Sequence, residues 1–85
     1  MITYGEGDLV LSSNEKRIEI KFEGVFSITE RPNGIIIDGN RKQLSLYMEN
    51  GESLPALLFK YKGTFKINYV YVIENGQSRY INTTV

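Results

Sequence analysis

The sequence contains no cysteine, no histidine and no tryptophan, and it has only two prolines. Without cysteine the chain can form no disulfide and no thiolate metal site, and without histidine it has neither an imidazole base nor an imidazole ligand. No Gly-x-Ser-x-Gly motif occurs, and no serine can have a histidine partner for nucleophilic catalysis. We therefore predict a non-enzymatic protein that carries no cofactor and no metal.

Long apolar runs are also missing. No stretch without a charged residue is longer than seven residues, whereas a transmembrane helix needs about 20 apolar residues. The first residues lack the basic start and the apolar stretch of a signal peptide. Because cysteine, the mark of an oxidising compartment, is absent, the sequence predicts a cytoplasmic protein. Its length predicts a single β-rich domain over residues 1–85.

Apolar residues alternate with polar ones over most of the chain, which is typical of antiparallel β-strands. In the clearest segment, residues 17–29, the apolar side chains occupy even positions on both sides of Gly24. One straight strand of this length would span about 40 Å, while the radius of gyration expected for the chain is about 12 Å. Gly24 is therefore predicted to kink or bulge the strand, either where it bends between two sheets or at the base of a protruding arm.

Glycine, asparagine and proline divide the rest of the chain into further strands. These strands are predicted over residues 8–12, 34–38, 42–48, 64–73 and 78–84. Turns are predicted at residues 31–34 and 38–41, and type I′ hairpin turns at Asn50–Gly51 and Asn75–Gly76. One face of the strand at 64–73 is predicted to carry Phe65, Ile67, Tyr69, Tyr71 and Ile73.

Residues 53–61 fit two structures. The capping serine and the proline at the start favour one helical turn near residues 54–59, followed by a short strand. The alternation of Leu57, Phe59 and Tyr61 fits a strand instead. With the helical turn as the preferred choice, the pattern predicts an all-β fold of about seven strands in a hairpin meander, either a small antiparallel sandwich or a partly open barrel.

The strand pattern and the composition favour a structural or assembly role. A sheet of short antiparallel strands has unpaired edges unless it closes into a barrel, and tyrosine, which is enriched at protein interfaces, occurs six times. We predict a subunit of a homo-oligomer or of a larger particle, such as a phage or prophage assembly, with protein as the partner and neither a membrane nor a small-molecule substrate. The expected contact residues are Arg31 and Asn33 at the tip of an arm, Ile36 if its outer face is uncovered, and Tyr80 on the last strand.

The second part of the chain supports an alternative. Residues 53–85 carry four basic side chains and one acidic, a balance of +3, whereas residues 1–52 carry six basic and nine acidic, a balance of −3. Basic and aromatic residues interleaved on strands can neutralise phosphates and stack bases, as on an OB-type surface. The alternative is a single-stranded nucleic-acid binding module with contacts at Tyr61, Lys62, Lys66, Tyr69 and Arg79. A net charge of zero and a pI of about 6.2 weigh against it.

Overall fold

Ten strands and no helix form the structure, a computed structural model that describes residues 1–85. The strands are β1 (Ile2–Thr3), β2 (Asp8–Leu11), β3 (Arg17–Glu23), β4 (Phe26–Glu30), β5 (Ile35–Gly39), β6 (Gln43–Met48), β7 (Leu57–Gly63), β8 (Lys66–Glu74), β9 (Gln77–Ile81) and β10 (Thr83–Thr84). Sheet A has the order β10-β1-β2-β7-β4, and sheet B has the order β5-β6-β3-β8-β9. Every pairing is antiparallel except that of β1 with β10. The predicted all-β class is confirmed, and of the two predicted architectures the structure is the sandwich.

The core lies between the inner faces of the two sheets and contains 19 buried apolar residues. The even-numbered residues of β3 supply part of it, because the side chains of a strand alternate between its faces. Four phenylalanines pack together in the centre, with neighbouring ring centroids 4.4 to 6.1 Å apart. They are Phe22, Phe26, Phe59 and Phe65. The Cα radius of gyration is 11.9 Å, which agrees with the expected size.

Gly24 is the point at which the chain passes from sheet B to sheet A. It connects β3 with β4, and its φ of 109° lies in a region that residues with a side chain rarely adopt. A Cβ atom at this position would also collide with the backbone carbonyl of Thr64. The predicted bend between two sheets is therefore confirmed, and the alternative of a protruding arm is wrong.

Residues 31–34 join two strands of different sheets. Strand β4 pairs with β7 in sheet A, and β5 pairs with β6 in sheet B. The turn exists, but it is not a hairpin tip, because the bend at Gly24 has already moved β4 out of the sheet to which β5 returns. Consecutive strands pair as hairpins only in β1–β2, β5–β6 and β8–β9, and every other connection crosses between the sheets. The predicted hairpin meander is therefore present only in these three pairs, and the single strand predicted at 78–84 divides after Ile81 into β9 and β10 of different sheets.

The helical turn predicted near residues 54–59 is wrong. Residues 57–63 form β7, and Leu58 and Phe59 are both completely buried. Two adjacent buried side chains are possible because the pairing of β7 with β2 shifts register between Leu9 and Val10. The gain in buried apolar area outweighs the capping signal at the start of the segment.

The two asparagine–glycine pairs behave differently. At Asn75–Gly76 both residues have positive φ, 52° and 78°, so the type I′ turn predicted between β8 and β9 is confirmed. At Asn50–Gly51 only the glycine has positive φ. Its N–H donates to the Met48 carbonyl at 3.0 Å, and the next strand belongs to the other sheet. The hairpin turn predicted at that position is wrong.

Candidate functional site

A one-residue irregularity in β8 decides which side chains reach the outer face of sheet B. Lys21 of β3 pairs with Tyr69, whereas the next residue, Phe22, pairs with Ile67. Asn68 is therefore an extra residue in β8, a β-bulge that resets the alternation of side chains beyond it.

The bulge exchanges the two faces of β8. Before it, Phe65 and Ile67 are buried, and after it, Val70 and Val72 are buried. The prediction of one continuous five-residue face is therefore wrong beyond Ile67. The residues that turn to the outer face instead are Tyr69, Tyr71 and Ile73.

Three tyrosines meet on this outer face. Tyr71 of β8 lies directly opposite Tyr80 of β9, and Tyr69 contacts both. The ring centroids are 6.0 Å apart for Tyr69 and Tyr71, 5.6 Å for Tyr69 and Tyr80, and 6.1 Å for Tyr71 and Tyr80. We call these three residues the tyrosine cluster. Their edge-to-face and tilted arrangement is the geometry that aromatic side chains prefer in packed interiors.

The tyrosine cluster is open to solvent although it is rich in apolar surface. Tyr80 is 68% exposed and Tyr69 42%, and the adjacent Ile73 is 62% exposed. Single exposed apolar residues are ordinary on protein surfaces, but a contiguous group on adjacent strands is characteristic of interaction sites.

A hydrogen-bonded network borders the tyrosine cluster on β3 and β6. The carboxylate of Glu19 accepts bonds from the Ser45 hydroxyl at 2.9 Å and from the Gln43 amide at 3.3 Å, and it pairs with the guanidinium of Arg17 at 3.4 Å. Arg17 also donates to the Ser45 hydroxyl at 2.9 Å. These bonds fix the positions of the polar and the charged side chains beside the aromatic rings.

Aromatic contacts connect the network with the rest of the face. The guanidinium carbon of Arg17 lies 4.7 Å from the centre of the Tyr47 ring, a cation–π distance. Tyr47 in turn pairs with Ile36 on the edge strand β5. Aromatic and aliphatic side chains thus lie on both sides of the charged residues that the central strand β3 presents on the outer face of sheet B.

The four predicted contact residues divide between two places. Tyr80 belongs to the tyrosine cluster, and Ile36, which is half-buried, lies at the opposite edge of the same outer face. Arg31 and Asn33 are exposed, but they lie in the connection between the sheets rather than on an arm. The structure therefore brings Tyr80 and Ile36 to one surface.

The residues of the nucleic-acid alternative do not form one surface. Tyr61 is buried, and its hydroxyl accepts a bond from the Gly5 N–H at 3.1 Å. Lys62 next to it lies on sheet A, whereas Lys66 and Tyr69 lie on sheet B.

Arg79, the last residue of that set, is occupied in ion pairs. Its guanidinium contacts the Glu15 carboxylate at 2.7 Å and the Glu74 carboxylate at 3.1 Å. The hydrogen bond from Arg79 lowers the pKa of Glu15 against the opposing effect of burial, and the Ser13 hydroxyl adds to the lowering. Bonds to the two carboxylates raise the pKa of Arg79. These ion pairs occupy the guanidinium that the nucleic-acid alternative needs to neutralise a phosphate.

Sequence reasoning missed Tyr71, Ile73 and Glu19 as members of this surface. Tyr71 and Ile73 were missed because of the bulge at Asn68. With or without this bulge, β8 places apolar side chains on its buried face, so the pattern does not distinguish the two registers. The one available signal was that Val70 and Val72 are more apolar than the tyrosines, so burying the valines is favoured.

Comparisons with known proteins give no identification. No family model matches the chain, and no match was found among curated proteins or among solved structures. No group of three or more acidic, histidine or cysteine side chains is arranged to hold a metal ion. No helix in the structure is long and apolar enough to cross a membrane.

Proposed function

We propose that this protein is a non-enzymatic assembly module that self-associates through the outer face of sheet B. The observation that carries the proposal is the solvent-exposed tyrosine cluster, continued by Ile73. Tyrosine and arginine dominate the binding energy of protein interfaces, and a central aromatic group surrounded by satisfied polar groups is the usual arrangement.

The charges of the face support a protein partner rather than a polyanion. Arg17, Lys21 and Lys66 are its basic residues, and Glu19, Glu23 and Asp38 are its acidic ones. A nucleic-acid surface needs a clear basic excess, which this balance does not supply.

A second copy of the chain suits the same face. The face carries both signs of charge and the chain has no net charge, so two copies can approach without repulsion. A two-fold axis makes such a contact self-complementary, since every residue meets the same surface patch on the other copy. Five strands spaced about 4.8 Å apart make a flat sheet of roughly 500 Å². The protruding side chains add to this area and bring it toward the roughly 800 Å² of surface that each partner buries in a standard interface.

Light scattering coupled to gel filtration, over a hundredfold range of protein concentration, tests the proposal. We expect a discrete oligomer for the unmodified chain. Tyr80→Glu places a charge in the centre of the tyrosine cluster without disturbing the core, because Tyr80 is 68% exposed. The dissociation constant should rise at least tenfold, since a tyrosine that dominates the binding energy of an interface contributes about 2 kcal/mol or more.

Ser27→Glu is the matched control. It adds the same charge at an exposed position on the outer face of sheet A and should leave the oligomer unchanged. A monomer at all concentrations contradicts the proposal, and so does an oligomer that both variants leave intact.

In its wider form, the proposal makes the protein a subunit of a larger particle, with a phage or prophage assembly as the candidate. Its support is the small size of the chain, the sandwich architecture and the exposed face. The cytoplasm is the proposed location, because the chain carries no cysteine.

A further inference from the structure

The two sheets end on the same side of the sandwich without meeting. Sheet A ends in β4 and sheet B ends in β5, and no hydrogen bond joins the two strands. A cavity of about 830 Å³ lies between them. Six apolar side chains line it, namely Phe22, Val25, Phe26, Ile28, Ile37 and Leu44. We call this region the open side.

Apolar side chains at the open side are incompletely covered. Phe26, Ile28 and Ile37 pack against the core and yet remain only half-buried. Val25 at the entrance is 86% exposed. The apolar side chains at the edge of the core are thus incompletely covered along this gap.

The backbone of β5 presents unpaired hydrogen-bonding groups to the same gap. The bonds from Glu49 N–H to the Gly34 carbonyl and from Asn40 N–H to the Gln43 carbonyl flank β5 at its two ends. In an antiparallel ladder, residues whose N–H and C=O bond to the partner strand alternate with residues whose N–H and C=O point away from it. Ile37 and Gly39 are residues of the second kind, so their backbone groups face away from β6.

Strand β5 is the better of the two edges for accepting a further strand. Its register with β6 is regular over all five residues, whereas β4 shifts register after Ile28. It also contains neither lysine nor proline, two of the usual protections of an edge, and its only charged residue, Asp38, lies on the outer face of the sheet.

We propose that the open side accepts an extended segment of a partner protein, which adds to sheet B as a strand along β5. Alternate apolar side chains of the segment enter the gap between the sheets, and its backbone bonds to Ile37 and Gly39, as in β-strand addition. Arg41 is the one charged residue that lines the cavity, and it has no ion-pair partner. The segment therefore carries an acidic side chain toward Arg41. This site shares no residue with the tyrosine cluster, so a variant in the cluster tests self-association separately from peptide binding.

A library of random twelve-residue peptides displayed on phage, selected on the full chain, provides the probe. Enriched peptides should alternate apolar and polar residues and should contain an acidic residue. A synthetic copy of the most enriched peptide should bind Val25→Lys at least tenfold more weakly than the unmodified chain. Val85→Lys is the matched control, because Val85 is 83% exposed and lies away from the cavity lining, and its affinity should not change.

Amide hydrogen exchange separates strand addition from simple occupation of the cavity. The bound peptide should slow exchange at Ile37 and Gly39, whose N–H groups are free, and should leave Ile36 and Asp38 unchanged, since these already bond to β6. Tyr80→Glu should bind the peptide normally, which keeps this test separate from that of self-association.

Four results would overturn the proposal. The first is the failure of any peptide to be enriched, and the second is binding that Val25→Lys does not weaken. The third is binding that leaves the amides of Ile37 and Gly39 unprotected. The fourth is protection of these amides that rises with protein concentration in the absence of peptide, because the occupant would then be a second copy of this chain.

Discussion

Glu15 is the only charged residue among the buried ones, and its partners make folding depend on pH. Arg79 and Ser13 lower the pKa of its carboxyl below the ordinary value of 4.5. A carboxyl with a lowered pKa in the folded state stabilises the fold above its unfolded pKa, and this contribution is lost as the pH falls through the folded value. The free energy of unfolding should therefore decline below pH 4.5, as measured by urea titration at several pH values.

Glu15→Gln isolates this contribution. At pH 7 it should reduce the free energy of unfolding by about 1 kcal/mol, because a charge-assisted bond to Arg79 is replaced by a neutral one. It should also flatten the decline at acidic pH. The control is Glu52→Gln, which removes the same charge from an exposed side chain and should alter neither quantity. Equal pH profiles for Glu15→Gln and the unmodified chain would show that the pair does not stabilise the fold.

At the scale of an element, the passage of β3 into β4 depends on Gly24. Gly24→Ala should destabilise the protein by about 2–5 kcal/mol, because the positive φ costs about 1–2 kcal/mol for a residue with a side chain and the collision with Thr64 adds about 1–3 kcal/mol. Gly51→Ala is the comparison, since Gly51 has a φ of 79° with no atom within 4 Å of the added Cβ. It should cost only the conformational part. The midpoints of urea unfolding measure both, and equal losses would mean that the close approach to Thr64 can relax.

The strands show which part of an element a sequence can predict. The alternation over β3 and β4 placed every apolar residue on the correct face, because Gly24 preserves the period and the register shift of β4 comes after Ile28, its last apolar residue. In β8 the same reasoning held up to Ile67 and then placed Tyr69 on the wrong face. A bulge inserts one residue without leaving a compositional mark, so a chain with apolar residues in both registers does not reveal which face is buried.

At the scale of the whole molecule, the sheet to which each strand belongs was the least predictable feature. Local signals identified the bend at Gly24 and the turn at Asn75–Gly76, which depend on neighbouring residues. They did not show that residues 31–34 cross between sheets, because that depends on which distant strands bury the apolar faces. The candidate surface could not be predicted for the same reason. Tyr80 and Ile36 lie 44 positions apart in the chain, and only the strand order of sheet B places them on one face.

The small core gives the proposed self-association a measurable effect on stability. A chain of this length buries only about 60–65% of its unfolded surface, so its stability as a monomer is small. If only the folded chain associates, association should therefore raise the temperature of the unfolding midpoint measurably. For a dimer, raising the protein concentration a hundredfold favours the folded state by about 2.7 kcal per mole of dimer, or about 1.4 kcal per mole of chain, which corresponds to an increase of about 5–10 °C in Tm. Tyr80→Glu should lose most of this increase, whereas Ser27→Glu should retain it. A Tm independent of concentration for the unmodified chain would contradict this prediction, because it would show that unfolding is not coupled to dissociation.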